Sequence, residues 1–394
     1  MPRKSAHHPP VPPSHAAHAV AEWFRHAARD LPWRTSPRDP YRSLVSEFML
    51  QQTQVARVVP YFERFLRRFP TIRSLALADQ ADVLSLWSGL GYYRRARFLH
   101  DAARAVLERH GGIIPRDPDQ LARLPGLGRY TAGAVASIVF GLRAPIVDGN
   151  VARVLLRLHG VRTPRDDGLR LAWGLADDLV NAAAEHDVPA LNEGLMELGA
   201  TVCTPRSPSC GSCPLAGLCL ARSLGITGLI PEPKLPPARA TITAVCVVIR
   251  DRRGRLLLEQ RPDRGLWAGL WQVPTLESAP AAKARPPSAP KALRGLGLEG
   301  LTVSRRSAFS HATSHRDVRF VVLHADAPPD RPSRLTITPD GHPATARAWL
   351  TPARARALAL SNPQRSIIED AAGLTSSTSS LSRARRRAGP SSSR

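Results

Sequence analysis

Apolar positions from about Ala16 to Leu224 recur at three- and four-residue spacing, and capping signals separate the runs. This periodicity predicts amphipathic helices. Around Glu47 the pattern predicts one helical segment whose apolar face carries Leu44, Phe48, Val55, Val59 and Phe62. Another helix, YRRARFLHDAARAVLERHGG, is predicted to end near Gly111, because glycine readily adopts the left-handed conformation that follows a helix. The sequence therefore predicts an all-α domain over residues 16–224.

The pattern changes after this helical region. The prolines of GLIPEPKLPPARA break all periodicity and predict a linker over residues 225–240. Short β-rich runs follow, TITAVCVVIR, RLLLEQR and VRFVVLHA, separated by glycine, proline and polar segments. These runs predict a second, α+β domain over residues 241–373. Residues 1–15 and the serine- and arginine-rich residues 374–394 are expected to be disordered arms.

The charge balance narrows the class of partner. The 394 residues include 55 Lys and Arg against 32 Asp and Glu, a formal net charge of +23. Such an excess favours a polyanion, because basic side chains that neutralise phosphates release condensed counterions. The alternative is a protein with basic tails and no such partner. The segment LSRARRRAGPSSSR supplies part of the excess, but arginine also recurs through the predicted helices.

The sequence also limits the compartment. No stretch approaches the roughly 20 apolar residues that a membrane span requires. The N-terminal MPRKSAHHPPVPPSHAAHAV has no continuous apolar segment, so secretion is not expected. Its lack of acidic residues leaves a transit peptide open, although repeated proline opposes an amphipathic helix. A bacterial cytoplasm, in association with the nucleoid, is the expected location.

The segment LARLPGLGRYTAGAVASIVFG places a glycine-rich turn between two helical patterns. Its turn residues are Pro125, Gly126 and Gly128. Glycines permit unusual backbone angles and expose N–H groups at the start of the next helix, where an anion is favoured. This pattern is typical of a helix-hairpin-helix that holds a DNA phosphate without reading sequence. A short glycine turn with no ligand is the alternative.

An aspartate follows about twenty residues later, in APIVDGNVARVLLRLHG. Asp148 precedes the apolar run from Val151 to Leu158. The simplest interpretation is an N-cap, which contributes about 1 kcal/mol. The Asp-Gly-Asn turn also follows a predicted phosphate-binding hairpin, from which it could reach a deoxyribose. The residues alone leave both interpretations open.

Four of the five cysteines fall in one short loop with the spacing C-x6-C-x2-C-x5-C. They are Cys203, Cys210, Cys213 and Cys219. Thiolates this close together indicate a soft metal or a cluster in a reducing compartment. A zinc site is the alternative to a cluster, although zinc ribbons usually pair two C-x2-C knuckles. The remaining Cys246 lies in a predicted strand and is expected to be a buried thiol.

Taken together, these motifs resemble a known family. The hairpin LPGLGRYTAGA, the aspartate of VDGNVARVL and the cysteine loop resemble the endonuclease III superfamily of DNA glycosylases, whose loop holds a [4Fe-4S] cluster. The segments LPWR, SEFMLQQTQV, WSGLGYYRRAR and LNEGLMELGATVCTP resemble the MutY-type adenine DNA glycosylases, with coverage from about Val20 to Leu220. The resemblance implies a monomer that removes adenine opposite 8-oxoguanine or guanine in double-stranded DNA.

The resemblance assigns opposite roles to two carboxyl groups. Glu47 would protonate a ring nitrogen of adenine, which is a poor leaving group until it is protonated. Its apolar neighbours Phe48, Met49 and Leu50 are expected to raise its pKa toward neutrality. Asp148 would stay ionised near a helix N-terminus and stabilise positive charge on the sugar. The alternative for Glu47 is a structural acid hydrogen-bonded to Gln51.

Further roles are implied position by position. Tyr130 stands where lyase-active relatives have a Schiff-base lysine, so cleavage of the DNA strand is expected to be weak or absent. Tyr130 and Asn150 are expected to support Asp148 and the attacking water. Arg34 and Glu193 are expected to contact the flipped adenine. Gln52 and Tyr92 are expected to fill the space that the adenine leaves. Each of these four has an alternative role. Arg34 could contact a phosphate instead, Glu193 and Gln52 could be surface residues, and Tyr92 could be a core residue.

The C-terminal region resembles the MutT-like domain of the same family. RPDRGLWAGLWQVP matches its opening, and AFSHATSH resembles a loop that would place Phe309, Ser310 and His311 against the oxidised guanine. No G-x5-E-x7-R-E-x-x-E-E motif occurs between Gln272 and Thr302, and an Ala- and Pro-rich insert stands there instead. This Nudix-like domain is therefore expected to recognise rather than hydrolyse.

Two other functions remain open. The first is an endonuclease III-like glycosylase and lyase for oxidised pyrimidines, which borohydride trapping would reveal. The second is a noncatalytic DNA-binding or redox module in which the cluster and hairpin serve recognition alone. The presence of both Glu47 and Asp148 argues against the second, because a binding module needs neither. The fold class predicted is thus a helix-hairpin-helix glycosylase domain with an Fe–S loop, followed by an α+β Nudix-like domain.

Overall fold

The computed structural model describes residues 11–232, 239–278, 287–313, 316–327 and 346–373. Backbone contacts divide the chain into two compact units. The first unit contains Met1–Ala78 and Arg94–Leu235, and the second contains Asp79–Tyr93 and Pro236–Arg394. The sequence predicted a simple succession of domains, whereas residues 79–93 pack with the C-terminal unit.

The helices in chain order are α1 (Pro13–Ala27), α2 (Pro40–Leu50), α3 (Val55–Arg68), α4 (Ile72–Ala76), α5 (Gln80–Trp87), α6 (Arg94–His110), α7 (Pro118–Ala122), α8 (Arg129–Ala134), α9 (Gly149–Leu158), α10 (Arg165–Ala182), α11 (Val188–Thr201), α12 (Leu220–Ser223), α13 (Ala289–Gly295), α14 (Pro352–Ala357) and α15 (Asn362–Ala371). A π-helical turn, Val135–Val139, continues α8. Because α1 begins at Pro13, the N-terminal arm is shorter than the predicted 1–15; residues 1–10 and 374–394 lie outside the described part of the chain.

Polar side chains start several of these helices where the sequence signals them. Asp39 accepts hydrogen bonds from the backbone N–H groups of Tyr41 and Arg42 at the start of α2. Thr71 and Ser74 form a reciprocal capping box on α4. Each cap satisfies N–H groups that have no partner inside the helix. These local signals set where the helices begin.

The helix predicted around Glu47 is broken in the structure. Helix α2 ends at Leu50 and α3 begins at Val55, so the predicted apolar face belongs to two helices. The turn between them contains Gln52, whose φ is 56°. The buried Arg95 closes the end of α2 by donating hydrogen bonds to the carbonyl oxygens of Phe48 and Met49, at 3.0 and 2.7 Å. Sequence periodicity alone does not reveal this break, because the apolar spacing continues across it.

Helices α1, α9, α10 and α11 share an apolar core in the first unit. Its buried residues include Ala17, Val20, Val151, Leu155, Leu179, Leu191 and Leu195. The approach of α11 to α1 requires a glycine, because a Cβ on Gly194 would lie 2.8 Å from Val20 Cγ1. The linker begins against this unit, since Ile230 is buried with Leu156 and Ala221.

In the described part of the second unit, seven strands form one mixed sheet. Its strands are β1 (Ala240–Arg250), β2 (Leu256–Gln260), β3 (Trp271–Gln272), β4 (Thr275–Glu277), β5 (Val303–Ala312), β6 (Arg316–Asp326) and β7 (Ala346–Leu350). The order is β3-β2-β1-β6-β5, with β4 paired to β1 and β7 to β2, and only β1 and β6 among these pairs run parallel. Apolar side chains of α14 and α15 cover one face, and those of α13 cover the other.

No helix in the described ranges is long and apolar enough to span a membrane.

Candidate functional site

Glu47 lies one turn before the end of α2, in the wall of a large groove of the first unit. Burial raises the pKa of its carboxyl to about 7; a hydrogen bond with Tyr130 lowers it in part, and the charges of Asp148 and Glu193 add to the rise. The neighbouring Gln51 amide donates to Thr131 Oγ1 at 3.4 Å. Tyr130 is therefore a hydrogen-bond partner of Glu47, and Glu47 can hold a proton near neutral pH.

The Tyr130 hydroxyl has two neighbours that both suit its single proton. It is hydrogen-bonded with the Glu47 carboxyl, and it also lies 2.9 Å from Met196 Sδ. When Glu47 is protonated, its O–H can donate to the tyrosine oxygen while Tyr130 donates to sulfur. When Glu47 is ionised, Tyr130 can donate to the carboxylate instead. Burial raises the pKa of Tyr130 well above its ordinary value, so the hydroxyl keeps its proton in both states.

Asp148 is the N-cap of α9 and accepts three hydrogen bonds. Oδ1 accepts from the backbone N–H groups of Asn150 and Val151 at 2.8 and 2.7 Å. Oδ2 accepts from Asn150 Nδ2 at 3.1 Å. These donors hold both oxygens of the carboxylate at the start of the helix. The capping interpretation and the functional one are therefore compatible, since the cap leaves Asp148 in the wall of the same groove as Glu47.

Asn150 is in turn held by Arg153, which sequence reasoning missed. Arg153 Nη2 donates to Asn150 Oδ1 at 2.9 Å and to the Gly199 carbonyl at 2.7 Å. Its Nε donates to the Cys203 carbonyl at 2.8 Å. A Cβ on Gly199 would lie 2.6 Å from Asn150 Cβ, so glycine lets α11 pack directly on the asparagine. The position three residues after Asn150 on α9 is the signal that could have identified Arg153.

Arg34 and Glu193 pair with each other in the same groove. Arg34 Nε donates to Glu193 Oε1 at 3.0 Å, and Arg34 Nη2 donates to Glu197 Oε2 at 3.0 Å. Arg38 binds the other oxygen of Glu193 at 2.5 Å, and Arg29 binds both oxygens of Glu197. Both glutamates are buried, so the interpretation of Glu193 as a surface residue is wrong. The structure therefore adds Arg29, Arg38 and Glu197 to the predicted pair.

Charge compensation explains how these carboxylates are buried. Burial alone would raise the pKa of Glu197, but its hydrogen bonds with Arg29 and Arg34 hold it below the ordinary value. The three arginines and two glutamates thus form paired ions rather than isolated buried charges. The i, i+4 spacing of Glu193 and Glu197 on α11 is the sequence signal for this cluster.

The predicted hairpin turn precedes α8. Gly126 has a φ of 76°, and a Cβ there would lie 2.4 Å from Phe98 Cβ. Gly126 is therefore required by the backbone and by packing. The exposed Gly128 is the N-cap of α8 with a φ of −82°, and no atom lies within 4 Å of a Cβ placed on it. The fold does not demand glycine at this position, so Gly128 leaves open space for a ligand.

The two residues expected to probe the DNA both have left-handed backbone conformations. Gln52, in the first unit, has a φ of 56°, and Tyr92, in the second, has a φ of 50°. Such values are rare for residues with a Cβ and mark functional or strained positions. Tyr92 is 42% exposed, so the interpretation of its side chain as a core residue is wrong.

The three residues of the predicted lesion loop lie on β5, not on a loop. Phe309 stacks on Phe320 with ring centroids 4.9 Å apart, and His311 lies 6.3 Å from the Trp267 ring. Strand alternation puts Ser310 on the opposite face, where it is exposed. The structure therefore brings Phe309 and His311 together with two aromatic residues and separates Ser310 from them.

The four cysteines line one pocket in the first unit, as a shared cofactor requires. Arg157 organises its wall: Nη1 lies 3.4 Å from Cys203 Sγ and 2.8 Å from the Thr204 carbonyl. Burial raises the pKa of Cys213 to about 11, so binding of a cluster must displace that proton. Among the described residues, no His, Cys, Asp or Glu side chains form a group of three or more suited to a single metal ion.

Comparison with known families defines the class. Residues 45–172 match the HhH-GPD superfamily of base excision DNA repair proteins, and residues 203–219 match the iron-sulfur binding domain of endonuclease III. Residues 244–370 match the NUDIX domain. The helices, the cysteine loop and the mixed sheet thus define a base excision DNA repair protein of the HhH-GPD superfamily with a C-terminal Nudix-like domain. The predicted fold class and the [4Fe-4S] cofactor are confirmed.

Comparison with individual relatives narrows the class to one family. The adenine DNA glycosylase of Mycobacterium tuberculosis is 43% identical over 242 residues, 60% of this chain and 75% of that protein. The adenine DNA glycosylase of Mycolicibacterium smegmatis is 46% identical over 209 residues, 52% of this chain and 69% of that protein. The chain belongs to the adenine DNA glycosylase family, as the sequence motifs predicted.

Other relatives are longer than the matched region. The human adenine DNA glycosylase is 38% identical over 317 residues, 67% of this chain, but the chain spans only 58% of that protein. Among solved structures, a thermostable thymine-DNA glycosylase is 29% identical, with a TM-score of 0.47 and coverage of 53% of this chain and 95% of that chain.

The raised pKa of Glu47 predicts a link between pH and stability. The folded state keeps this proton up to about pH 7, whereas the ordinary value is 4.5. The folded state therefore binds more protons between these values, and its stability falls as pH rises. Glu47→Gln removes the buried charge and should stabilise the protein at about pH 8 by roughly 1–3 kcal/mol, a gain that shrinks towards pH 5.

Urea unfolding at several pH values measures this difference. The exposed Glu63→Gln is the matched control on the next helix, and its effect should change little with pH. A Glu47→Gln variant that is no more stable than the native chain at pH 8 would show that Glu47 is not a buried, protonated acid.

Proposed function

We propose that the protein is an adenine DNA glycosylase that acts on double-stranded DNA and removes adenine opposite 8-oxoguanine or guanine. The observation that carries the proposal is the pair of carboxyl groups, Glu47 and Asp148, in one groove. Burial raises the pKa of Glu47 to about 7, and Asp148 is held in place by three hydrogen bonds. A binding module needs no such pair, whereas cleavage of a glycosidic bond uses an acid and a carboxylate together.

Glu47 supplies the proton that makes adenine a leaving group. An adenine stacked in a duplex must first be extruded, at a cost of a few kcal/mol. Glu47 then protonates a ring nitrogen of the base, and the bond between the base and the sugar breaks with its electron pair on adenine. Tyr130 can turn its O–H from Met196 to the new Glu47 carboxylate, which stabilises the charge left behind.

Asp148 stabilises the positive sugar that remains. Its three donors fix the carboxylate, so little reorganisation is needed as charge develops. Water then bonds to the sugar carbon, and the proton that it loses restores Glu47. Asn150 takes part by orienting Asp148, and Arg153 keeps Asn150 in place.

The ion cluster beside these groups fits recognition of the flipped base. Arg34 and Glu193 line the same groove as Glu47 and are fixed by Arg38 and Glu197. Their donor and acceptor atoms are suited to the hydrogen-bonding edge of adenine. Fixed partners favour specificity, because they hold the remaining donor and acceptor positions of Arg34 and Glu193 in one arrangement that a wrong base would not match.

The remaining residues are assigned to the DNA and the opposite base. Gln52 and Tyr92 enter the duplex around the extruded nucleotide, and Pro125, Gly126 and Gly128 form the turn that holds a phosphate. Phe309, Ser310 and His311 contribute to recognition of 8-oxoguanine. We propose that the protein acts as a monomer on bacterial chromosomal DNA, and hence at the nucleoid in the cytoplasm.

One assay tests the function directly. The purified protein is incubated with duplexes that contain adenine opposite 8-oxoguanine, adenine opposite guanine, or an oxidised thymine. We expect adenine release and strand breaks that appear only after alkali, because Tyr130 offers no amine for a Schiff base. Excision of the oxidised thymine with a strong borohydride-trapped adduct would instead identify a glycosylase and lyase for oxidised pyrimidines.

Replacement of either carboxyl group should abolish chemistry but not binding. Glu47→Gln and Asp148→Asn are each expected to lower the single-turnover rate of adenine excision by several orders of magnitude, because each removes one of the two charge states. Duplex affinity, measured by fluorescence anisotropy, should remain within a few-fold of the native value. Near-native turnover in either variant would contradict the assigned roles.

The rate of excision should also depend on pH in a defined direction. Glu47 acts as an acid, so the single-turnover rate should fall about tenfold per pH unit above a pH near 7, where the carboxyl loses its proton. A rate that is constant from pH 6 to 9 would exclude Glu47 as the proton donor.

Substitutions at the two glycines of the hairpin should affect stability and DNA binding separately. Gly126→Ala should lower the free energy of unfolding by about 2–4 kcal/mol, because it combines a left-handed backbone with overlap at Phe98. Gly128→Ala should cost less than about 1 kcal/mol but weaken duplex binding about tenfold, because its methyl group occupies the space proposed for a phosphate. Urea unfolding and anisotropy measure the two effects; equal affinity of Gly128→Ala and the native chain would place the phosphate elsewhere.

A further inference from the structure

The turn that follows α5 holds Tyr92 in a strained conformation. Within residues 88–93, Gly89 and Gly91 have φ values of 98° and 86°, and Tyr92 has a φ of 50°. Glycine adopts these angles freely, but a tyrosine does not. A strained residue persists only where its surroundings fix the backbone. The contacts of this turn therefore decide how Tyr92 is presented.

Internal hydrogen bonds close the turn on itself. Trp87 Nε1 donates to the Gly91 carbonyl at 3.1 Å, and the Gly89 N–H donates to the Tyr93 hydroxyl at 3.1 Å. The Tyr93 hydroxyl donates its own proton to the Leu360 carbonyl at 2.6 Å. The turn is thus tied to the backbone just before α15, and this contact lies within the second unit.

The Ser88 side chain binds both the carbonyl and the N–H group of Leu360. Its Oγ donates to the Leu360 carbonyl at 2.8 Å and accepts from the Leu360 N–H at 3.2 Å. It also accepts from Arg365 Nη2 at 2.8 Å. The serine side chain is buried, so loss of this hydroxyl would leave buried backbone groups with fewer partners.

Leu360 is itself fixed to the sheet. Its side chain is fully buried, and the residue forms a parallel bridge with Trp271 of β3. The Trp271 N–H donates to the Ala359 carbonyl at 2.9 Å. The backbone that Ser88 grips is therefore part of the ordered sheet edge.

We propose that Ser88 is a positioning residue that clamps the Tyr92 turn to the Leu360 backbone and so presents Tyr92 for insertion into DNA. The insertion rests on the proposed function, whereas the clamp itself does not. The sheet of the Nudix-like unit would then have a second task beside base recognition, which is to hold the strained turn ready before DNA arrives.

The clamp is tested first without DNA. Ser88→Ala should accelerate amide hydrogen exchange in peptides that cover residues 88–93 about tenfold, because the hydroxyl no longer ties the turn to Leu360. Ser85→Ala is the matched control, since Ser85 Oγ donates to the Asp82 carbonyl of its own helix at 3.2 Å in an exposed position. Its exchange should match that of the native protein. Unchanged exchange in Ser88→Ala overturns the clamp.

The second arm measures DNA affinity and the rate of excision. Affinity is measured on a duplex with 8-oxoguanine opposite a 2′-fluoro adenosine, which resists excision, and the single-turnover rate is measured on the same duplex with ordinary adenosine. Ser88→Ala should weaken binding and slow single-turnover excision, each about tenfold, and Ser85→Ala should leave both within twofold. In a Tyr92→Ala background the added Ser88→Ala change should have less than a twofold effect, because the serine acts through the tyrosine.

The outcomes separate the two proposals. A clamp with only a structural role would lower the melting temperature while affinity and rate stay native, or would give effects that add to those of Tyr92→Ala; either result overturns the positioning role. A native protein that binds and excises no adenine lesion overturns the proposed function, while the exchange experiment still decides whether the clamp exists.

Discussion

The candidate site depends on how one groove holds two carboxyl groups, those of Glu47 and Asp148. Burial raises the pKa of Glu47 to about 7, and backbone N–H groups at the start of α9 are aimed at Asp148. The charge of Asp148 also raises the pKa of Glu47, so the ionised group helps its neighbour to keep a proton.

Maintaining this arrangement imposes strain and charge elsewhere. The buried Glu193 and Glu197 are tolerated because arginines from the segment between α1 and α2 pair with them. Arg95 uses its guanidinium to end α2 one turn after Glu47, which frees Gln52 to adopt its left-handed backbone. The candidate site residues thus stand on backbone and ion pairs that other residues hold in place.

The sequence predicted those features of the site that depend on neighbouring residues in the chain. A carboxylate among apolar residues predicted the raised pKa of Glu47, and an aspartate before an apolar run predicted the cap at Asp148. Long-range partners were not predictable in this way. Nothing in the sequence around Ser88 pairs it with Leu360, and residues 79–93 were expected in the helical domain although they pack with the C-terminal unit. The break after Leu50 was missed because it is imposed by Arg95, which is remote in sequence.

Tyr130 connects the chemistry of the groove to its electrostatics. Its hydroxyl can donate to Met196 or to the Glu47 carboxylate, and although its hydrogen bond lowers the pKa of Glu47, the larger effect of burial keeps that pKa raised. A lysine at this position would offer an amine for Schiff-base chemistry, but its positive charge beside Glu47 would lower the pKa of the carboxyl and remove its proton near neutral pH. In the proposed mechanism, an amine that attacked the sugar would therefore oppose the acid that protonates the base. A tyrosine at this position leaves the pKa of Glu47 raised, as the proposed acid requires.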